Sequence, residues 1–198
     1  MKTRNAFLII ALLLTGCVTP NPGPDGIPAF RWIDREWGIC AGGQPTVSGW
    51  YWLSTQSAGS SGQFPGKISR VIKLNTEEEG SDSVAELQLG MTVIRVPIDT
   101  RMQLDPGEAN MLASLMRQGL HMVQPGTFIH CERGQDRTGA FVYAYRRDHG
   151  WTDAQARAEL DAFGFHHVLM GLDKFVRDYA PVPAAPYLKR LASPKEKP

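Results

Sequence analysis

The run HCERGQDRTG at residues 130–139 combines three kinds of chemical group within ten positions. Cys131 supplies a thiol, Arg137 supplies a guanidinium six positions later, and Gly134 and Gly139 allow close backbone turns. A glycine-bearing loop in front of a helix can point its N–H groups inward and hold a phosphate-sized anion. Arg137 would add a planar fork for two oxygens of that anion.

The same surroundings would make Cys131 a nucleophile. A helix N-terminus and a neighbouring cation favour the thiolate form of a cysteine over the thiol. A thiolate that faces a bound phosphate can attack phosphorus and form a cysteinyl-phosphate intermediate. The leaving oxygen then needs a proton, so a general acid is expected as well.

The elements around this run alternate between strand and helix patterns. Residues 30–45 contain one or two short extended pieces, and 84–90 form a short helix that ends at Gly90. The periodicity predicts further strands over 68–74, 91–98 and 127–130, and helices over 46–53, 106–122, 138–149, 152–164 and 167–179. This order predicts an α/β domain with a mainly parallel central sheet flanked by helices. Ligands bind beyond the carboxyl ends of such strands, which is where the run 130–139 begins.

The pattern His-Cys-x-x-Gly-x-x-Arg-Thr-Gly is also the signature of the cysteine-dependent protein tyrosine phosphatases. The chain resembles their dual-specificity branch over residues 30–180. Gly43-Gln44-Pro45 resembles a motif of many small bacterial members, and ISRVIKLN (68–75) resembles one of their strands. The resemblance implies a dual-specificity phosphatase-like fold and a phosphatase that needs no metal and no cofactor.

The resemblance also implies residue roles. Cys131 is the nucleophile, His130 orients the loop from behind, and Thr138 hydrogen-bonds the Cys131 sulfur. Asp99 is the general acid, with Asp105 as the alternative. The phosphoryl oxygens are held by the loop residues Glu132, Arg133, Gly134, Gln135, Asp136 and Arg137, through their N–H groups and the Arg137 side chain.

The substrate depends on the variable loop positions. Glu132 and Asp136 balance Arg133 and Arg137. Because members of the family that act on inositol phosphates often carry more basic loops, the resemblance favours phosphotyrosine and other phosphoproteins for this neutral loop. Arg133 could meet a second phosphate, so an inositol phosphate or phosphoinositide is the alternative. Glu132 and Asp136 either brace the loop or contact substrate. A lipoprotein that binds phosphate groups without hydrolysing them is the non-enzymatic alternative.

The chain begins like an exported protein. Lys2 and Arg4 precede nine apolar residues (6–14), too few to span a bilayer, which needs about 20. Leu14-Thr15-Gly16-Cys17 resembles the lipobox of bacterial lipoproteins. We therefore expect a signal peptide at 1–16, a lipidated Cys17 that begins a Pro/Gly-rich tether (17–29), and anchoring to a bacterial membrane, with the outer membrane favoured. Residues 181–198 form a Pro-rich tail.

Composition excludes other classes. The 198 residues carry 21 basic and 20 acidic side chains, so nucleic acid is not an expected partner. Three unevenly spaced cysteines form neither a disulfide framework nor a zinc site. Cys40 is either a core residue or a redox partner of Cys131. The charged segment 76–82 is expected to form a solvated loop, and the oligomeric state is left open.

Overall fold

The computed structural model describes residues 24–56, 66–77, 81–100 and 105–182. The predicted signal peptide, Cys17, the first part of the tether and most of the tail fall outside these ranges. None of the described helices is long and apolar enough to cross a membrane.

The described residues form one mixed, mostly parallel sheet. Its five strands are β1 (Arg31–Asp34), β2 (Ile39–Gly42), β3 (Arg70–Lys73), β4 (Thr92–Arg95) and β5 (Thr127–His130). They lie in the order β1-β2-β5-β3-β4, and only β1 runs antiparallel to its neighbour. The predicted fold class is confirmed, and the parallel strands bring their carboxyl ends to one edge.

The described helices are α1 (Val47–Thr55), α2 (Pro106–His121), α3 (Asp136–Asp148), α4 (Asp153–Ala162) and α5 (Met170–Asp178). A π-helical turn occupies Val84–Gln88. Thr46 caps α1, Asp105 caps α2, and Thr152 forms a capping box with Gln155 at α4. Helix α3 begins two residues earlier than the predicted Thr138, so the loop is tighter than expected.

Two apolar cores cover the two faces of the sheet. Side chains alternate along a strand, so adjacent residues of β5 enter different cores. Phe128 packs with Trp50 of α1 and with Cys40, whereas Ile129 joins the core that contains Cys131 and residues of α2 to α5. Cys40 is fully buried, and burial raises the pKa of its thiol. Its place in the opposite core supports the core interpretation over a redox pair with Cys131.

The segment 76–82 differs from the expected solvated loop. Asp82 is 5% exposed and forms a buried ion pair with Lys73 at the carboxyl end of β3. The expectation was wrong for Asp82 because a run of charges in a sequence does not show which member meets a buried partner. The pair fixes the segment after β3 directly behind the loop that follows β5.

Asp82→Asn is expected to lower the free energy of unfolding by about 3 kcal/mol, because it leaves the Lys73 ammonium buried without a counter-charge. Urea-induced unfolding measures this loss. The control is Glu86→Gln, which breaks the exposed Arg95–Glu86 pair and should cost less than about 1 kcal/mol. Equal losses in the two variants would contradict a structural role for the buried pair.

Candidate active site

The loop between β5 and α3 forms the floor of a small cavity at the carboxyl edge of the sheet. The cavity has a volume of about 180 Å³. Its lining consists of Thr100, Cys131, Glu132, Arg133, Asp136, Arg137 and Leu169. The structure therefore brings the predicted nucleophile and the predicted phosphate-binding arginine into one site.

Cys131 lies at the base of this cavity and is 3% exposed. The backbone N–H of Gly134 donates to the Cys131 Sγ at 3.3 Å. The loop thus curls around its own cysteine as the sequence predicts.

Arg137 is buried, and its side chain is held in place by two groups that precede the loop in the chain. Its Nη1 donates to the Glu77 carboxylate, at 3.0 Å to Oε2, and to the Ile98 carbonyl at 3.4 Å. Partial burial opposes ionisation of Glu77, but hydrogen bonds from its own backbone and from Arg137 lower its pKa. Glu77 was not predicted as a site residue, because it is one of several acids in the segment 76–82, which was expected to be solvated.

His130 is fully buried behind the loop, stacked on Phe128 and edge-on to Trp50. Its Nδ1 lies 3.3 Å from the Cys131 carbonyl oxygen. Because a carbonyl only accepts, this contact assigns the proton to Nδ1. Burial lowers the pKa of His130 to about 4, so the ring is neutral at neutral pH. The implied role of orienting the loop is compatible with this contact and stays a prediction.

Thr138 makes a different contact from the one that the resemblance implied. Its buried Oγ1 donates to the Gly42 carbonyl at 3.3 Å. A hydroxyl has a single proton, so in this conformation Thr138 does not donate to the Cys131 sulfur. The residue instead links the start of α3 to the end of β2.

The segment Gly42-Gly43-Gln44 supports the loop from behind. Gly134 has φ +76°, and a Cβ there would lie 2.4 Å from the Gly43 nitrogen, so only glycine fits. The Gln44 N–H donates to the Glu132 carbonyl at 2.8 Å. Gly42, together with Gly43 and Gln44 of the Gly43-Gln44-Pro45 motif, therefore forms the platform on which the loop rests.

The Gln44 side chain joins this platform to the buried ion pair. Its Nε2 donates to Asp82 Oδ1 at 2.6 Å and to Ser81 Oγ at 2.9 Å. A polar connection thus runs from Lys73 on β3, through Asp82 and Gln44, to the loop. The sequence does not predict this connection, because Lys73 lies 9 positions and Gln44 lies 38 positions from Asp82.

The outer loop residues separate into braced and exposed groups. Asp136 accepts from the His166 backbone N–H at 2.8 Å and lies 3.0 Å from the His166 Nδ1, which favours bracing over substrate contact. Gln135 is buried. The Glu132 side chain is half exposed, and that of Arg133 is 72% exposed at the cavity rim.

The two general-acid candidates occupy different surroundings. Asp99 lies between Ile98, whose carbonyl accepts from Arg137, and Thr100, which lines the cavity. Asp105 caps α2 and accepts from the Gly107 N–H at 2.8 Å. Among the described residues, no cluster of His, Cys, Asp or Glu side chains could hold a metal ion.

Comparisons with known proteins show the fold. No protein-family model and no curated protein matches the chain. Solved structures do match. The core catalytic domain of the PP-IP phosphatase SIW14 from S. cerevisiae is 19% identical, with a TM-score of 0.59 over 84% of this chain and 93% of that one. TpbA from P. aeruginosa is 18% identical, with a TM-score of 0.53 over 81% of this chain and 94% of that one. Tk-PTP is 15% identical, with a TM-score of 0.52 over 77% of this chain and 99% of that one. The chain therefore has the fold of the cysteine-based, protein-tyrosine-phosphatase-like phosphatases.

Proposed function

We propose that the chain is a phosphatase that hydrolyses phosphomonoesters through a cysteinyl-phosphate intermediate. One observation carries this proposal: Cys131 and Arg137 line a single small cavity, and the loop between them is curled so that the Gly134 N–H meets the sulfur. A buried sulfur, inward N–H groups and a guanidinium match the charge that develops on a phosphoryl group during transfer.

The reaction has two steps. The Cys131 thiolate attacks phosphorus, an S–P bond forms, and the P–O bond to the leaving group breaks as Asp99 donates its proton to that oxygen. Water then attacks phosphorus, the S–P bond breaks, and Asp99 accepts the proton of the water. Inorganic phosphate leaves, and the thiolate is regenerated.

The preferred substrate is a phosphotyrosine or another phosphoprotein residue. Leu169 provides an apolar wall beside Cys131, suited to the ring of a phenol, and the charged cavity residues include as many acids as bases. Arg133 supports the alternative, because its exposed guanidinium at the rim is a group that a second phosphate would contact. The similarity to a PP-IP phosphatase makes an inositol phosphate the alternative substrate to test.

We also propose that the protein works outside the cytoplasm and is anchored to a membrane through lipid on its own Cys17. The support is the order of basic residues, apolar run and Leu-Thr-Gly-Cys at the start of the chain. The Pro/Gly-rich residues that follow would hold the domain away from the lipid surface.

The purified protein should turn over a phosphotyrosine peptide with kcat/KM roughly tenfold or more above that for an inositol polyphosphate, a difference of about 1.4 kcal/mol. Cys131→Ser should abolish both activities and retain peptide binding, since only the nucleophile is lost. The matched control is Cys40→Ala, which alters the other buried cysteine and should keep activity with or without reductant. Faster turnover of the inositol polyphosphate would reverse the substrate assignment. Binding without turnover by the unmodified protein would favour the non-enzymatic alternative.

Asp99→Asn should lower kcat for a phosphotyrosine peptide roughly 100-fold. It should also remove the limb of the pH–rate profile along which activity falls as pH rises, because a general acid works only while protonated. Asp105→Asn is the control, since asparagine caps a helix as well as aspartate does, and its profile should keep that limb. Loss of the limb in Asp105→Asn alone would move the role to Asp105.

Mass spectrometry of the protein made in a lipoprotein-processing bacterium should find Cys17 as the first residue, carrying acyl groups. Cys17→Ser should lack them, whereas Cys40→Ala should be acylated like the parent. A mature chain that begins elsewhere, or an unmodified Cys17, would overturn the anchor.

A further inference from the structure

Two carbonyl groups of the loop at 131–135 are held by donors that do not line the cavity. The Glu132 carbonyl accepts from the Gln44 N–H, and the Gly134 carbonyl accepts from Arg31 Nη1 at 3.2 Å. All described peptide bonds are trans, and in a trans peptide the C=O and the next N–H point in opposite directions. Holding these carbonyls outward therefore turns the N–H groups of Arg133 and Gln135 the other way, into the cavity.

Arg31 is the one of these donors that reaches the loop through a charged side chain. It lies on the edge strand β1, far from the loop in sequence, and is 7% exposed. Its guanidinium covers the ring of Phe163, 3.8 Å from the ring centre, and Nη1 also lies 3.4 Å from the Ala29 carbonyl. The Ala29 backbone has φ +49°, an uncommon conformation for a residue with a Cβ. The Ala29 backbone is therefore strained at the point where its carbonyl faces the Arg31 guanidinium.

This buried charge lacks the partner that such a charge ordinarily has. Within the described part of the chain, no carboxylate lies at ion-pair distance from Arg31, and Nε has no hydrogen-bond partner. Burial lowers the pKa of Arg31 to about 10, and the charges of Glu159 and Cys131 oppose that shift. A cation buried without a carboxylate is costly. An anion on the loop side would offset that cost.

We propose that Arg31 is a positioning residue for the phosphate-binding loop. It fixes the Gly134–Gln135 peptide so that the Gln135 N–H faces the phosphoryl group, and it places a buried positive charge behind the thiolate. This role rests on the proposed function, because it gives the loop the task of binding a phosphoryl group.

Arg146 supplies a matched comparison. It is a partly buried guanidinium, with its side chain 13% exposed, that likewise donates to a backbone carbonyl, that of Ile33 at 2.7 Å, and it covers the ring of Trp151. It differs in forming an ion pair with Glu159 at 2.9 Å, and its contacts with Glu159, Ile33 and Trp151 all lie outside the loop. Substitution of Arg146 should therefore show how much stability is lost with an arginine that does not contact the loop.

The test measures binding of inorganic phosphate by calorimetry in a Cys131→Ser background, together with hydrolysis of p-nitrophenyl phosphate in the Cys131 background. Arg31→Gln should weaken phosphate binding about tenfold, the loss of one charge-assisted hydrogen bond, and lower kcat/KM roughly 100-fold through misplacement of the loop. Arg31→Lys keeps the charge but not the fork, so its values should lie between. Arg146→Lys should lower the melting temperature and leave phosphate affinity unchanged.

Phosphate affinity and kcat/KM in Arg31→Gln that match those of Arg146→Lys would overturn the proposal. If Arg31→Gln does not fold, an Arg31→Lys protein with the affinity of its parent would overturn it equally. Weaker phosphate binding in the Arg31 variants of a protein that shows no turnover would support the positioning role and contradict the phosphatase function. Normal turnover that is unaffected by the Arg31 substitutions would support the phosphatase function and contradict the positioning role.

Discussion

The site depends on the contact between two stretches of backbone, the loop at Gly134 and the platform at Gly42 and Gly43. Their atoms approach so closely that no side chain fits between them. This contact sets the curvature of the loop, and the curvature brings the Gly134 N–H to the Cys131 sulfur. A thiol next to an arginine in an extended segment would have neither the cavity nor the inward N–H groups that phosphoryl transfer needs.

The protein keeps this arrangement through polar groups placed behind the loop. Lys73, Asp82 and Gln44 form a buried connection that ends on the platform, His130 contacts the Cys131 carbonyl, and Arg31 contacts the Gly134 carbonyl. In a low-dielectric interior, such groups lower the free energy of unfolding when they lack a hydrogen-bond partner. When every partner is present, the hydrogen bonds hold the groups in one position. In the proposed function, the same side chains stabilise the domain and turn the loop N–H groups towards the phosphoryl group. Function and folding would then be coupled at this edge of the sheet.

Much of this fold and site is predictable from the sequence, and the limits have physical reasons. Strand β5, helix α2 and the capping box at Thr152 were predicted well, because hydrophobic period and capping residues are local signals. The loop was recognisable because its chemistry is contiguous. Glu77, Asp82 and Arg31 were not assigned to the site, because they meet it only through sheet order and loop packing. The contact of Thr138 was not predicted for a related reason: Gly42, which accepts from it, is 96 positions away.

The central claim is that a phosphoryl group passes through the Cys131 sulfur. Acid quenching during turnover of a phosphotyrosine peptide, followed by mass spectrometry of the digested protein, tests it directly. The peptide that contains Cys131 should carry a phosphoryl group on sulfur. In the Asp99→Asn protein the phosphoryl group should also be found on Cys131 and on no other side chain. Rapid hydrolysis by a protein whose Cys131 stays unmodified at every quench time would contradict the account.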